Sequence, residues 1–203
     1  MSLRIALVAA ATAVAMTVAM TLAPASAQTP PAGAANPAPT SPQGTTAQPG
    51  DPFGQETTLT AKPMVYVKGT GVWDTAFQTI TASFRKLHTY LDKEGLKADG
   101  LPMTIFTSTD DAGFQYEAAV PLAETPKNPP HGDIAVGQTP DGRALMFVHH
   151  GSYEELDDTY EAITNYLDEK RLEAKDVFIE QYVTDPATAD PKKLTVNVYV
   201  LLK

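Results

Sequence analysis

The sequence predicts an α+β domain made of two tandem β-α-β-β modules, with an antiparallel sheet, two long helices and a central cleft. The first observation is a repeat, in which Phe77–Leu96 aligns with Tyr153–Leu172 at an offset of 76 residues. Apolar residues in both copies recur mostly at steps of three and four, which is typical of the buried face of an amphipathic helix. The second observation is that one β-rich run precedes each helix and two follow it. A repeat of this kind predicts two like modules that close on each other around a cleft.

The first module spans about residues 63–122. Met64–Gly69 alternates around Val65 and Val67 and predicts its opening strand. A helix is predicted over Trp73–Glu94, and Gly95 is the residue expected to end it. Two further strands, Pro102–Ser108 and Phe114–Leu122, are predicted around a turn at residues 110–113.

The second module spans about residues 143–203. A capping box at residues 152–155, with Ser152 and Glu155, predicts the start of a helix that runs to about Leu172. The Pro-rich stretch Ala123–Gln138 is expected to be a loop that joins the halves. The strands predicted for this module are Arg143–His150, Val177–Thr184 and Lys193–Leu202.

The N-terminal residues predict export. Arg4, an apolar stretch at residues 5–22 and Ala25-Ser26-Ala27 match a signal peptide that would be cleaved after Ala27. The alternative is an uncleaved membrane anchor, because the apolar stretch approaches transmembrane length. Residues 28–57 are rich in Pro and Ala and predict a flexible linker. The folded domain is then residues 58–203, in the periplasm or outside the cell, with no stable membrane insertion after cleavage.

Charge and composition exclude several classes of function. The chain holds 24 acidic and 15 Lys or Arg residues, for a net charge of −9, so it lacks the positive surface that nucleic-acid binding requires. It has no cysteine, which excludes disulfides, thiolate catalysis and Cys-ligated metals. No phosphate-binding Gly-rich loop, nucleophile elbow or H-E-x-x-H motif occurs, so neither a metal nor a cofactor is predicted.

Glu180 is the main candidate for a binding site. In the strand Val177–Thr184, it shares one face with Phe178 and Tyr182, while Val177, Ile179 and Val183 share the other. The second face is expected to meet the helices, which would place Glu180 on the opposite, concave face. Thr104 occupies the equivalent position in the first module, so a single charge breaks the internal symmetry. A carboxylate between two rings suits a cationic partner.

Other aromatic residues and one further acid complete the candidate site. Trp73 lies at a strand-to-helix junction, where it could stack on a ligand or fill the core. Phe106 and Tyr116, with Tyr66, lie on strands of the first module and could supply more ring faces. Glu117 is a candidate second acid and is expected to face the same side as Asn197.

The histidines do not predict a metal site. His149 and His150 are adjacent in a strand and therefore point to opposite sides of it. His149 is expected to bond to the turn before the second helix. Tyr153, which follows the capping serine, is expected to pack its ring in the core as Phe77 does.

Two short motifs resemble those of a known family. His149–Leu156 reads H-x-G-x-Y-x-x-L and Glu180–Pro186 reads E-x-Y-x-x-D-P. Both resemble segments of the GyrI-like small-molecule-binding domains, the effector-binding part of AraC-type and MerR-type multidrug-sensing regulators. The resemblance covers about residues 63–203 and implies a tandem β-α-β-β fold. It also implies a pocket glutamate among aromatic rings that attracts lipophilic cations, at the position of Glu180. No helix-turn-helix pattern precedes the domain, so transcriptional regulation is not predicted.

The leading hypothesis is an exported, non-catalytic protein that binds a small hydrophobic or cationic molecule. The first alternative is a hydrolase of strained electrophiles, in which Glu180 is the general base and Tyr182 or Trp73 positions the substrate. The second is a haem-binding protein of the related SOUL fold, with His149 or His150 as axial ligand. Inhibition of gyrase, known in the family, conflicts with the predicted export.

Overall fold

The computed structural model describes residues 50–128 and 130–203. The predicted signal peptide and residues 28–49 of the predicted linker lie outside these ranges. Two helices, α1 (Ala76–Glu94) and α2 (Leu156–Lys170), each follow a short 3-10 turn, at Trp73–Thr75 and Tyr153–Glu155. The strands are β1 (Phe53–Leu59), β2 (Pro63–Gly71), β3 (Met103–Thr109), β4 (Phe114–Pro121), β5 (Ile134–Gln138), β6 (Gly142–Gly151), β7 (Ala174–Tyr182) and β8 (Leu194–Leu202).

The strands form one eight-stranded antiparallel sheet in the order β1-β6-β8-β7-β3-β4-β2-β5. This order is symmetric about the central pair β7 and β3. One half of the sheet holds β2, β3 and β4, and the other holds β6, β7 and β8. The predicted α+β architecture, a duplicated β-α-β-β module, is therefore confirmed.

Strands β1 and β5 extend each module beyond the prediction. Each precedes its own module in the chain but pairs with the other one, since β1 joins β6 and β5 joins β2. The stretch Ala123–Gln138 is thus not a loop throughout, and residues 53–57 of the expected linker belong to the sheet. The sequence signal was weak because β1 is mostly polar and β5 has only five residues. Phe53 anchors β1 with an edge-to-face contact of 5.0 Å between its ring centroid and that of Phe147.

The helices confirm the repeat and the predicted C-terminus of α1. Leu87 and Leu91 of α1 and the corresponding Ile163 and Leu167 of α2 are all buried against the sheet. Helix α1 ends at Gly95, which has a φ of 64°, as the sequence predicts. Helix α2 ends at Lys170 rather than at Leu172, and Arg171 takes the left-handed conformation there. None of the helices among the described residues has the length and hydropathy needed to cross a bilayer.

The two faces of the sheet carry separate apolar clusters. The helix-covered face holds the larger cluster, which includes Phe178 and Tyr182 of β7. The other face, here called the outer face, holds a smaller cluster that includes Ile105, Ile179 and Tyr199. The expectation that Val177 and Ile179 meet the helices is therefore wrong, because the bulkier rings of Phe178 and Tyr182 fill the space under the helices. As a result, Glu180 lies on the helix side of the sheet.

Candidate ligand-binding site

Glu180 lies at the centre of the molecule. In the sheet register it stands opposite Thr104 of β3 on one side and Val198 of β8 on the other. Helix α2 covers it, and only 1% of the residue is exposed to solvent. A carboxylate at such a depth must be hydrogen-bonded, because burial without partners is strongly unfavourable.

Tyrosine hydroxyl groups supply those hydrogen bonds. Tyr182 donates to Glu180 Oε2 over 2.6 Å, and Tyr160 of α2 donates to Oε1 over 2.9 Å. The hydroxyl of Tyr153, in the turn before α2, also interacts with the carboxylate. Thr104 Oγ1 lies 3.2 Å from the Tyr182 hydroxyl and extends the network to β3. The buried carboxylate thus contacts donors from β7, from α2 and from the turn that begins α2.

This environment changes the acidity of the whole cluster. Burial raises the pKa of Glu180 to about 7, although hydrogen bonds from Tyr182, Tyr160 and Tyr153 oppose the shift. Burial and the nearby carboxylate raise the pKa of each of these tyrosines well above its usual value. The hydroxyls therefore remain donors at any ordinary pH, while Glu180 changes charge near neutrality.

A small inner cavity touches the carboxylate. Its volume is only about 10 Å³, and the residues that line it are Trp73, Phe106, Thr109, Tyr160, Phe178 and Glu180. This is at the lower limit for a single water molecule. The rings of Phe178 and Tyr160 meet edge to face, with centroids 5.8 Å apart. A larger group can reach Glu180 only if a neighbouring side chain moves.

A larger chamber, here called the outer chamber, opens on the helix side of the sheet, where α1 and α2 begin. Its volume is about 450 Å³, within the range of small-molecule sites, and its aromatic lining consists of Trp73, Phe77 and Tyr153. The Trp73 indole donates a hydrogen bond to the carbonyl of Asp110 over 2.8 Å, which fixes that ring. Trp73 lines both this chamber and the inner cavity, so a single ring forms part of the wall of both.

The structure brings together five of the seven residues chosen from the sequence: Glu180, Tyr182, Phe178, Trp73 and Phe106. Tyr116 instead packs under α1, with its hydroxyl 2.9 Å from Ser83 Oγ. Glu117 lies on the outer face in an ion pair of 3.2 Å with Lys68, away from Glu180, and Tyr66 joins the apolar cluster of that face. Asn197 donates to Gln181 Oε1 over 3.3 Å and lies on this face too, as expected from the sequence. Glu117 and Asn197 therefore both lie away from the cleft.

Sequence reasoning missed Tyr160 and treated Tyr153 as core packing. The repeat itself carried the signal. At the offset of 76, Tyr160 corresponds to Phe84 and Tyr153 to Phe77. Each pair differs by one hydroxyl, in the same half of the molecule that carries Glu180.

Both neighbouring histidines have their ring nitrogens engaged. His149 is fully buried, with Nδ1 2.9 Å from Thr159 Oγ1 and Nε2 3.0 Å from the Ser152 carbonyl. The expected bond to the turn before the second helix is confirmed. In His150, Nδ1 contacts Thr195 Oγ1 and Nε2 contacts Asp51 Oδ2. Neither imidazole can bind a haem iron without breaking one of these contacts. Among residues 50–128 and 130–203, no His, Asp and Glu side chains cluster in a way that could hold a metal ion.

The chain belongs to the family of GyrI-like small-molecule-binding domains, whose family model matches residues 55–203. No curated protein matches it. Its fold is similar to that of EcmrR in a complex with DNA, at 12% identity and a TM-score of 0.63, covering 74% of this chain and 57% of that one. The chain therefore spans a little over half of the EcmrR chain.

Two further solved structures share the fold. SAV2435 bound to tetraphenylphosphonium is 16% identical, with a TM-score of 0.51, and the match covers 74% of this chain and 94% of that one. A hydrolase from Listeria innocua is 13% identical, with a TM-score of 0.52 and coverage of 75% and 93%. At these identities the likeness shows the fold alone, and the family defines the class as a small-molecule-binding domain.

Proposed function

We propose that this protein binds a small hydrophobic cation, with Glu180 as the charge partner and the outer chamber as the place for the apolar body of the ligand. The observation that carries the proposal is a buried carboxylate, on the helix side of the sheet, that lines a small aromatic cavity which shares the Trp73 ring with the larger outer chamber. SAV2435, which has the same fold, binds tetraphenylphosphonium, and this supports a ligand of the same class.

A cation suits this site for a physical reason. The ionised carboxylate is disfavoured by burial, as its raised pKa indicates, and a positive group would restore the favourable interaction that water no longer provides. Ring faces of Trp73, Phe77 and Tyr153 would add cation–π attraction of about 0.5–2 kcal/mol each. The chamber volume of about 450 Å³ can hold the remaining apolar groups.

The test is a calorimetric titration of residues 50–203 with tetraphenylphosphonium at pH 8. Glu180→Gln keeps the size of the side chain and removes its charge, so binding should weaken at least tenfold, or about 1.4 kcal/mol. Glu117→Gln is the matched control, because it removes an acid from the outer face and should leave the affinity unchanged. Equal affinities for wild type and Glu180→Gln would overturn the assignment of Glu180.

A hydrolase remains the second candidate because one observation favours it. A carboxyl group with a pKa of about 7 is well matched to general base catalysis at neutral pH. The inner cavity beside it has room for at most one water molecule. Incubation with strained electrophiles such as epoxides, followed by mass spectrometry, would distinguish the two functions. Hydrolysed product that disappears in Glu180→Gln would favour the enzyme, and unchanged compounds would favour the binding protein.

We also propose that the protein works outside the cytoplasm. The support is the order of Arg4, the apolar stretch at residues 5–22 and the A-x-A sequence that ends at Ala27. Mass spectrometry of the protein isolated from its own cells would test this. An N-terminus at Gln28 is expected, and a protein retained in the cytoplasm with residues 1–27 intact would contradict the proposal.

A further inference from the structure

The peptide group between Ser152 and Tyr153 is held from both ends. Its carbonyl oxygen lies 3.0 Å from Nε2 of His149, and its N–H donates to the carbonyl of Pro191 over 2.9 Å. A carbonyl oxygen can only accept, so the hydrogen of this bond belongs to His149 Nε2. Nδ1 is then the acceptor for the Thr159 hydroxyl at 2.9 Å. One neutral tautomer of His149 thus satisfies both contacts.

This peptide group leads directly into the donors of Glu180. Tyr153 is the next residue along the chain, and Tyr160, about two helical turns further on, lies beside Thr159. The capping box of Ser152 and Glu155 fixes the turn itself, with bonds of 2.7 Å and 3.3 Å. His149 connects this turn to strand β6 and lies wholly in the interior. In the first module the turn at Trp73–Thr75 has no side-chain cap at Val72, and the Trp73 indole bonds to the carbonyl of Asp110 instead.

We infer that His149 is a positioning residue of the ligand site, which holds the turn before α2 so that Tyr153 and Tyr160 face Glu180. The inference rests on the proposed function for its link to ligand affinity. Burial lowers the pKa of His149, in keeping with a neutral imidazole. The charged groups that act on it are Glu155 and Asp158, which oppose this shift, and His150, which reinforces it.

The first measurement needs no ligand. The Glu180 carboxyl is titrated by carbon NMR in wild type, His149→Gln and His149→Met. Gln can keep the donor to the Ser152 carbonyl, whereas Met fills similar space without any donor. Loss of the turn would weaken the hydrogen bonds that oppose the raised pKa of Glu180, so its titration midpoint should rise by about half a unit or more in His149→Met. His149→Gln should stay near wild type.

Thr159→Val is the matched control. It removes the other partner of His149 and destabilises the same interior region, but it leaves the bond to the Ser152 carbonyl intact. Its midpoint should match wild type. An unchanged midpoint in His149→Met would overturn the inference, and so would an equal rise in Thr159→Val, since general destabilisation would then explain both.

Affinity for tetraphenylphosphonium at pH 8 is the second readout, and about a tenfold loss is expected in His149→Met alone. If wild type does not bind this probe, the proposed function fails while the carboxyl titration still decides the role of His149. Should His149→Met not fold, nitrogen NMR of the wild-type imidazole provides the test. A hydrogen on Nε2 supports the inference, and a hydrogen on Nδ1 in the neutral ring contradicts it.

Discussion

Glu180 and Thr104 face each other across the central strands β7 and β3, and they are also equivalent positions of the internal repeat. The pseudo-twofold axis of the molecule therefore passes between these two residues. A charge on one side of the axis and a hydroxyl on the other make the centre of a symmetric fold asymmetric. This geometry gives the domain one carboxylate site where exact symmetry would place two acids in contact.

The asymmetry extends to the residues around the axis. At the same offset of 76, Tyr182 corresponds to Phe106, Tyr160 to Phe84 and Tyr153 to Phe77. The second module therefore supplies the hydroxyls, and the first supplies plain rings that pack against them. Phe84, for example, meets Tyr182 edge to face with centroids 5.5 Å apart. The second half of the duplication provides the carboxylate and its tyrosine donors, and the first provides apolar rings and the Thr104 hydroxyl.

We predict that cation binding depends on pH through Glu180. Because its pKa is raised to about 7, roughly a tenth of the carboxyl groups are ionised at pH 6 and nearly all at pH 8.5. The Kd for tetraphenylphosphonium should rise about tenfold for each pH unit below 7 and stay constant above pH 8. Calorimetry from pH 5.5 to 8.5 at constant ionic strength measures this. A flat profile down to pH 5.5 would mean that the carboxylate is not the group that meets the cation.

A second prediction concerns stability. The pKa of Glu180 is higher in the folded protein, about 7, than the ordinary value of 4.5, so the folded state binds the proton more tightly. Stability therefore falls as the pH rises from about 4.5 to 7, by about 3 kcal/mol, and then stays level. Glu180→Gln removes this dependence, because its amide can still accept from one tyrosine and donate to another.

Denaturant unfolding of both proteins at pH 4, 6 and 8 checks the stability prediction. Glu180→Gln should match wild type at pH 4 and exceed it at pH 8 by up to about 3 kcal/mol. Glu117→Gln is the control and should retain the wild-type profile. Parallel curves for wild type and Glu180→Gln would show that burial does not disfavour the ionised form of Glu180.

The central architecture could be predicted from sequence because strong periodic patterns specify it. The helices repeat buried positions such as Leu87 and Ile163, and β8 alternates apolar residues over its whole length. The edge strands were missed for the opposite reason. In β5 only Ile134 and Val136 pack on the core, and β1 depends on Phe53, so pairing with a neighbouring strand determines their structure.

The site was predictable in part. The charge of Glu180 between two rings identified the right strand face, but the pattern could not show which face the helices cover, because Ile179 and Phe178 are both buried. The helical spacing of Tyr160 predicts a buried ring, and its ring is buried. Its hydroxyl became informative only once a buried carboxylate was found within 2.9 Å. Spacing predicts burial, whereas a hydrogen-bond partner depends on the packing of α2 on the sheet.

Removing single hydroxyls should rank the donors of Glu180. Tyr182→Phe deletes the bond of 2.6 Å, which opposes the raised pKa most strongly, so the Glu180 titration should move to a higher pH. Tyr160→Phe should act in the same direction with a smaller shift. Each change should cost about 2 kcal/mol of stability at pH 8, where the acceptor is charged, and less at pH 5. Carbon NMR of the carboxyl and denaturant unfolding measure the two effects.

Tyr116→Phe is the control for this series. Its hydroxyl is also buried, but it contacts Ser83 and not Glu180, so it should reduce stability without moving the carboxyl titration. A shift in the Tyr116→Phe titration equal to that of Tyr182→Phe would mean that the midpoint reports general destabilisation instead of hydrogen bonding.

The last prediction concerns strand β1, which the composition of residues 28–57 had assigned to the linker. Gly54 has a φ of 73°, and a Cβ placed there would collide with the ring of Tyr166 in α2. Gly54→Ala should therefore combine backbone strain with a steric clash and lower the free energy of unfolding by about 2–3 kcal/mol. Gly95→Ala is the matched control, since its φ of 64° is also positive but its Cβ would meet nothing within 4 Å. That change should cost only about 1 kcal/mol. Thermal unfolding of both variants measures the difference, and equal losses would indicate that β1 is not packed against α2.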